Sequence, residues 1–299
     1  VATLGFDIEQ FVCTIQPDDQ DEDSGDYLDP LDHVVPVCGL VGGDKSEHTT
    51  IRRTGTADQK ATWEVHEDNV CVEINSPVFT ESEEAREWFQ QYQTQFPYDL
   101  FDQKELWPLN TINSYAFKRK DLEAAGPQAL DIGCDPDFDG YARDTTIPRR
   151  LNIGTLGNTR MAGGHIHIGY STHEDIPHFA VAQLMDLVVL AAGSNFDRLR
   201  VGTYPPGIFR VKPYGIEYRS MGSKDLLRLS GLVRPMFNLA RALEDTPQEL
   251  VNVYDQFNFP KLYGGIMEGN STIISGAKVQ ASKALDWLNP KKARQYGYR

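Results

Sequence analysis

Asp7 and Glu9 stand two residues apart in the opening run VATLGFDIEQFV, and Glu67, Asn69, Glu73 and Asn75 recur at even spacing in a second run. His165 and His167 repeat the pattern in GGHIHIGY, as do Glu217 and Arg219 in GIEYRS. Side chains alternate between the two faces of a strand, so each of these sets shares one face. The opposite faces are apolar: Leu4, Phe6 and Ile8; Val70, Val72 and Ile74; Ile166, Ile168 and Tyr170; Ile216 and Tyr218. One polar i, i+2 pair is ordinary on a solvated antiparallel sheet. Four strands with one design are different, because they gather five acids with two imidazoles and one guanidinium, where solvated faces mix Lys, Thr and Ser. Such a crowd of carboxylates repels itself unless cations sit among it. Hard divalent ions such as Mg2+ or Mn2+ take oxygen ligands and tolerate an imidazole, which suits this set better than the Cys/His preference of zinc.

The elements that must position these groups are strands over residues 2–12, 69–75, 165–170 and 215–220. Thr80 and Glu83 form a capping box ahead of the Trp88, Phe89, Tyr92, Phe96 stripe, which predicts a helix packed on the sheet. Two further helices are expected over 176–195 and 223–244, the second kinked at Pro235. The apolar stretch 179–193 is broken by Gln183 and Asp186 and falls short of a bilayer span, so it reads as a buried helix. Together these elements predict an α+β fold, an antiparallel sheet backed by helices. No repeat or linker divides residues 1–299, which are read as one domain.

Forty-three acids against 29 bases leave a net charge of −14 over 299 residues, which sets the field against duplex nucleic acid or an anionic membrane. The 40% hydrophobic and 24% charged fractions exclude a disordered or collagen-like chain. Cys13, Cys38, Cys71 and Cys134 lack any C-x-x-C spacing and suit a reducing cytoplasm; the run at residue 1 lacks the pattern of a secretory signal. Asp18, Asp19, Asp21, Glu22, Asp23, Asp26, Asp29 and Asp32 crowd residues 17–32 without a base, either a cation-attracting lid or, as we read it, a solvated hairpin loop. Residues 276–299 carry Lys278, Lys283, Lys291, Lys292, Arg294 and Arg299 against Asp286, read as a solvated basic end.

The order GFDIE, EDNVCVEIN, GGHIHIGY and RVKPYGIEYRS resembles the carboxylate-amine ligases of the glutamine synthetase and glutamate-cysteine ligase superfamily, the phage-type amidoligases in particular. The resemblance runs from about Gly5 to Ser220 and touches GCDPDF at residues 133–138. It implies a half-open, funnel-like sheet with two or three Mg2+ (or Mn2+) ions bridging ATP phosphates. It implies further that Glu9, Glu67 and Glu73 hold one ion, and that Asp7, His165 and Glu217 hold the ion on the nucleotide phosphates. Arg219 then binds the transferring phosphoryl group, His167 lies toward the nucleotide or substrate edge, and Arg210 contacts a phosphate or carboxylate. Here Asp7 stands where Glu is more frequent. The implied activity joins a small-molecule or peptide carboxylate to an amine through an acyl phosphate, in the cytoplasm of a phage-infected bacterium. A homo-oligomer is compatible with it.

Two other classes fit parts of the pattern. A metallohydrolase would use His165 and His167 to bind zinc and activate water, leaving the acids and Arg219 underused. A non-catalytic relative would keep the funnel to bind nucleotide or amino acid. Gly42, Gly43 and Lys45 suggest a backbone-donor loop or an ordinary turn, not a P-loop. Asp135 and Asp137 hold substrate or start a turn. Arg198, Arg200 and Lys212 join Arg210 around the last strand, and Cys13 and Cys71 read as buried thiols. His33, His48, His66, His173 and His178 lack a motif.

Overall fold

The computed structural model describes residues 1–16, 19–21, 27–41, 49–54, 60–95, 105–130, 137–148, 156–171, 176–193, 196–197, 201–228 and 230–287. The strands described are β1 (Thr3–Cys13), β2 (Val34–Val35), β3 (Thr49–Thr54), β4 (Lys60–Asp68), β5 (Cys71–Asn75) and β6 (Trp107–Leu109). They continue with β7 (Ser114–Ala116), β8 (Phe138–Asp139), β9 (Thr159–Met161), β10 (Gly164–Gly169), β11 (Ile208–Lys212) and β12 (Gly215–Tyr218). The main sheet runs β3-β4-β5-β1-β10-β12-β11-β8, with β2 and β6 pairing the far end of β1 and a separate β7-β9 ladder. Each of these pairings is antiparallel, so the α+β class with an antiparallel sheet holds.

Alternation explains why the sheet has one dry face. Leu4, Phe6 and Ile8 of β1, Val72 and Ile74 of β5, Ile166 and Ile168 of β10, and Ile216 and Tyr218 of β12 are all buried in one core. Three helices supply the other side of that core: Ser82–Gln95 through Trp88, Phe89 and Tyr92, His178–Ala191, and Val233–Asp245. His178–Ala191 packs on β11 and β12 and also against the helix Ser271–Trp287, which is why it is apolar nearly all round. Among the described residues no helix is long and apolar enough to cross a membrane.

The helix expected over 223–244 is instead two, Ser223–Arg228 and Val233–Asp245, joined through the 3-10 turn Ser230–Leu232. Pro235 therefore lies in the first turn of the second helix, where its missing N–H removes no intrahelical bond, and it makes no mid-helix kink. The first helix begins at Ser82, close to the expected Thr80 cap; Phe96 lies outside the described residues. The acidic stretch does fold back on itself, through a Gln20–Tyr27 bridge and a hydrogen bond from Leu28 N to Asp19 O. Its Asp18, Glu22, Asp23 and Asp26, and the basic residues from Lys291 onward, lie outside the described residues.

On the other face of β1 the parity of Asp7 and Glu9 continues to Phe11 and Cys13, and these enter a smaller apolar cluster with Leu109, Phe117, Leu122, Ala129 and Ala162. That cluster covers one end of the face. The rest of it carries the charged groups.

Candidate functional site

β5, β1, β10 and β12 lie side by side, so the four acid-bearing strands build one continuous face. The register sets Glu9 opposite Glu73, Asp7 opposite both Asn75 and His165, and His167 opposite Glu217. β4 extends the row with His66 opposite Glu73, and β11 extends it at the other end with Arg210 opposite Glu217.

Two groups of ligand atoms converge on this face, each within 4.8 Å of one another: Asp7, His167 and Glu217, and Glu9, Asp68 and Glu73. Two of the ligands expected from the sequence therefore change. His167 faces Gly5 across the β1–β10 ladder, a partner without a side chain, so its ring leans one step along to Asp7. Its Nε2 lies 2.6 Å from Asp7 Oδ2, and its Nδ1 meets the Tyr214 hydroxyl. His165 leans the other way and deeper. Its Nε2 is 3.7 Å from Glu9, and its Nδ1 is 3.5 Å from Glu217 and 3.4 Å from Arg219 Nη1. A Cβ at Gly163 would collide with His165 Nε2, so glycine there makes room for the ring.

Glu67 is not brought to the site. Asp68 pairs with Cys71 across a two-residue loop in which Asn69 has φ +55°, so residues 67–75 form a hairpin and not one strand. Counting back from Glu73 through that loop changes face: Glu67 pairs with Val72 on the apolar parity, and Asp68 takes the place beside Glu73. The Glu67 carboxylate instead accepts the N–H groups of Gly39 at 2.7 Å and Val41 at 2.8 Å, fixing the loop after β2.

Electrostatics divides the face into two ends. At the acid end, burial pushes the Glu73 carboxyl up to about 7; its His66 hydrogen bond opposes this, while Asp7, Asp68 and Glu9 add to it. His66 Nε2 is 3.0 Å from Glu73, and the Asn75 amide nitrogen, turned toward the acids, reaches Glu73 Oε1 and Asp7 Oδ1 at 3.1 Å each. At the cation end, burial would raise Glu217, but Arg219, His165 and His167, with a hydrogen bond from Lys212, hold it well below the usual carboxylate range. Lys212 Nζ lies 2.8 Å from Glu217 Oε2, and Arg219 Nη1 donates to Oε1. Arg219 is buried with Glu217 and Asp137, and Arg210 joins it on Asp137 at 3.0 Å. Burial raises the Cys71 thiol well above its ordinary value, reinforced by Glu9, Asp68 and Glu73, in keeping with an inert buried thiol.

The structure thus brings together Asp7, Glu9, Glu73, His165, His167, Arg210, Glu217 and Arg219. It adds Asp68, His66 and Tyr214, and it places Asp137, read from the sequence as a substrate holder or a turn, against Arg210 and Arg219. Asn69, a turn former with a side chain that tolerates positive φ, was the signal that could have placed Asp68. His167 is nearest Asp7 and His165 lies between Glu9 and Glu217; among the described residues neither ligand group holds both histidines. Gly42, Gly43, Lys45, Asp135, Arg198, Arg200, His48, His173 and Cys134 lie outside the described residues. A scan against protein-family models found no match for the chain, and a search of curated proteins found none either.

Proposed function

We propose that the chain is an ATP- and Mg2+-dependent carboxylate-amine ligase, releasing ADP and forming an amide or peptide-like bond. The observation that carries this reading is the polarity of one sheet face: two carboxylate-rich ligand groups at one end, a buried Arg219 with the half-buried Arg210 at the other, and Glu217 common to both. Phosphoryl transfer asks a protein mostly for positioning and charge neutralisation, and this face supplies both.

The donor chemistry fits hard divalent ions, since each group offers carboxylate oxygens and at most one imidazole. Asp7, His167 and Glu217 would hold one ion, and Glu9, Asp68 and Glu73 another. Bound there, such ions act as Lewis acids toward phosphoryl oxygens and screen their charge. The chain's own residues do the rest. Arg219 and Arg210 bind anionic oxygen, and Lys212 with Arg219 keeps Glu217 ionised. In the reaction, a substrate carboxylate oxygen attacks the γ-phosphorus of ATP and the bond to ADP breaks. The amine nitrogen then attacks the acyl carbon, expels phosphate and loses a proton. The acid end favours approach of a cationic amine. On this reading the sheet is the counterpart of the funnel in glutamine synthetase catalytic domains, and its antiparallel order is compatible with that.

The test is nucleotide release from ATP and Mg2+ with pools of amino acids and small carboxylates, on the wild type and Glu217→Gln. Expected is Mg2+-dependent ADP formation that requires both an acid and an amine and is lost in the variant. AMP in place of ADP would replace the acyl phosphate with adenylate chemistry, and absence of ATP binding would refute the reading.

A further inference from the structure

Asp137 is a fully buried carboxylate on the charged side of the sheet, immediately before β8. Its Oδ1 accepts from Arg210 Nε at 3.1 Å and lies 3.0 Å from Nη2, while its Oδ2 lies 3.3 Å from Arg219 Nε. Arg219 in turn meets Glu217 through Nη1, and Lys212 takes the other Glu217 oxygen. Charges therefore alternate along Arg210, Asp137, Arg219, Glu217 and Lys212, with one cation in excess.

Two guanidiniums brought together repel, and a carboxylate between them removes that obstacle. A guanidinium is a planar fork, so the contact of Arg210 Nε and Nη2 with Asp137 Oδ1 also sets the plane of that group, while Asp137 Oδ2 faces Arg219 Nε as an ion pair and holds its charge alongside. The carboxylate's own position is set from the core. Gln183 Nε2 donates to Gly140 O at 2.8 Å, and Asp186 accepts the Tyr141 hydroxyl at 2.7 Å and Gly207 N at 3.0 Å. Gly140 N also donates to Gly207 O at 2.9 Å, tying the segment after Asp137 to the chain entering β11.

Resting on the ligase reading above, we propose that Asp137 is a positioning residue: it holds Arg210 and Arg219 side by side as a cradle for a polyphosphate group. It touches neither substrate nor ion itself and acts through the two arginines.

The experiment is calorimetric titration of the full chain with tripolyphosphate in the presence of Mg2+. Asp137→Asn should weaken binding by about tenfold or more, the scale of loss that follows from misplaced binding groups. Asp137→Glu, which keeps the charge, should recover most of it. In an Arg210→Gln background the effect of Asp137→Asn should shrink; the same factor in both backgrounds would mark a general structural role and overturn the proposal. Should Asp137→Asn not fold, Arg210→Lys carries the test, since it keeps the charge but loses the paired Nε and Nη2 contacts. Weakened binding is expected there, and unchanged binding overturns the proposal. Wild type that binds neither tripolyphosphate nor ATP would overturn the ligase reading together with the cradle. Wild-type binding that neither Asp137→Asn nor Arg210→Lys weakens would remove the cradle alone.

Discussion

Replacing Glu73 by glutamine should stabilise the ion-free protein at pH 8 and leave it little changed at pH 5. Glu73 is buried among Glu9, Asp68 and Asp7, and its carboxyl is pushed up from an ordinary 4.5 to about 7. At about 1.4 kcal/mol per pH unit this corresponds to about 3 kcal/mol of strain once the group ionises in the folded state. The native state then holds the proton more tightly than the unfolded chain. Stability associated with the group is complete below pH 4.5, falls as pH rises toward 7, and is lost above it. Glutamine has no such dependence. For a chain of this size 3 kcal/mol is roughly 5 to 10 °C in Tm. Asp186, buried between Tyr141, Tyr218 and Gly207, is also pushed up to about 7 and falls in the same window, so the wild-type curve alone does not isolate Glu73. The difference between wild type and Glu73→Gln does, because Asp186 is common to both. The assay is urea or thermal unfolding of the two proteins from pH 5 to pH 9 in a chelator. A difference that stays flat across that range would refute the reasoning. Adding Mn2+ should raise wild-type stability most above pH 7, where the ligand is ionised, and should do little for Glu73→Gln.

The hairpin register predicts opposite outcomes for neighbouring acids. Asp68→Asn should weaken Mn2+ binding about tenfold or more by calorimetry, whereas Glu67→Gln should leave it unchanged and cost about 1 to 3 kcal/mol in unfolding through the Gly39 and Val41 contacts. Gly163→Ala should displace His165, costing about 1 to 3 kcal/mol, and should reduce Mg2+-dependent ADP release about tenfold or more; full activity would show that the ring has slack. Asp186→Leu should destabilise by about 3 kcal/mol or more, since two tyrosine hydroxyls and the Gly207 N–H lose their acceptor; a loss below 1 kcal/mol in urea unfolding would contradict the network.

The polar face was legible in the sequence because period-two alternation is local to each strand, and four strands spelled it independently. Their adjacency was not spelled anywhere: pairing joins Asp7 to Asn75 and His165, and no local pattern encodes it. The face of Glu67 was misread because even spacing from Glu73 continues through a two-residue loop, while the chain itself reverses there. The choice between His165 and His167 depended on residues of other segments, Gly5 opposite one ring and Gly163 beside the other. Asp137 was read as a substrate holder or part of a turn, and its link to the arginines was not legible, because they stand 73 and 82 positions away. The break before Val233 was displaced toward Pro235 because proline marks the start of a helix as well as the bend in one.

β1 lies between β5 and β10, so Asp7 takes one neighbour from residue 75 and the other from residue 165. During synthesis at roughly 5 to 20 residues per second, several seconds separate the emergence of these two partners. Through that interval the β10-facing side of β1 presents unpaired backbone groups on a strand rich in Leu, Phe, Ile and Val, the kind of edge that recruits other chains. Asp7 and Glu9 sit in the middle of that strand, and charge at such a position discourages wrong pairing. Before β10 has formed, charge at these two positions opposes edge-to-edge pairing of β1 with another chain, an effect independent of any bound ion.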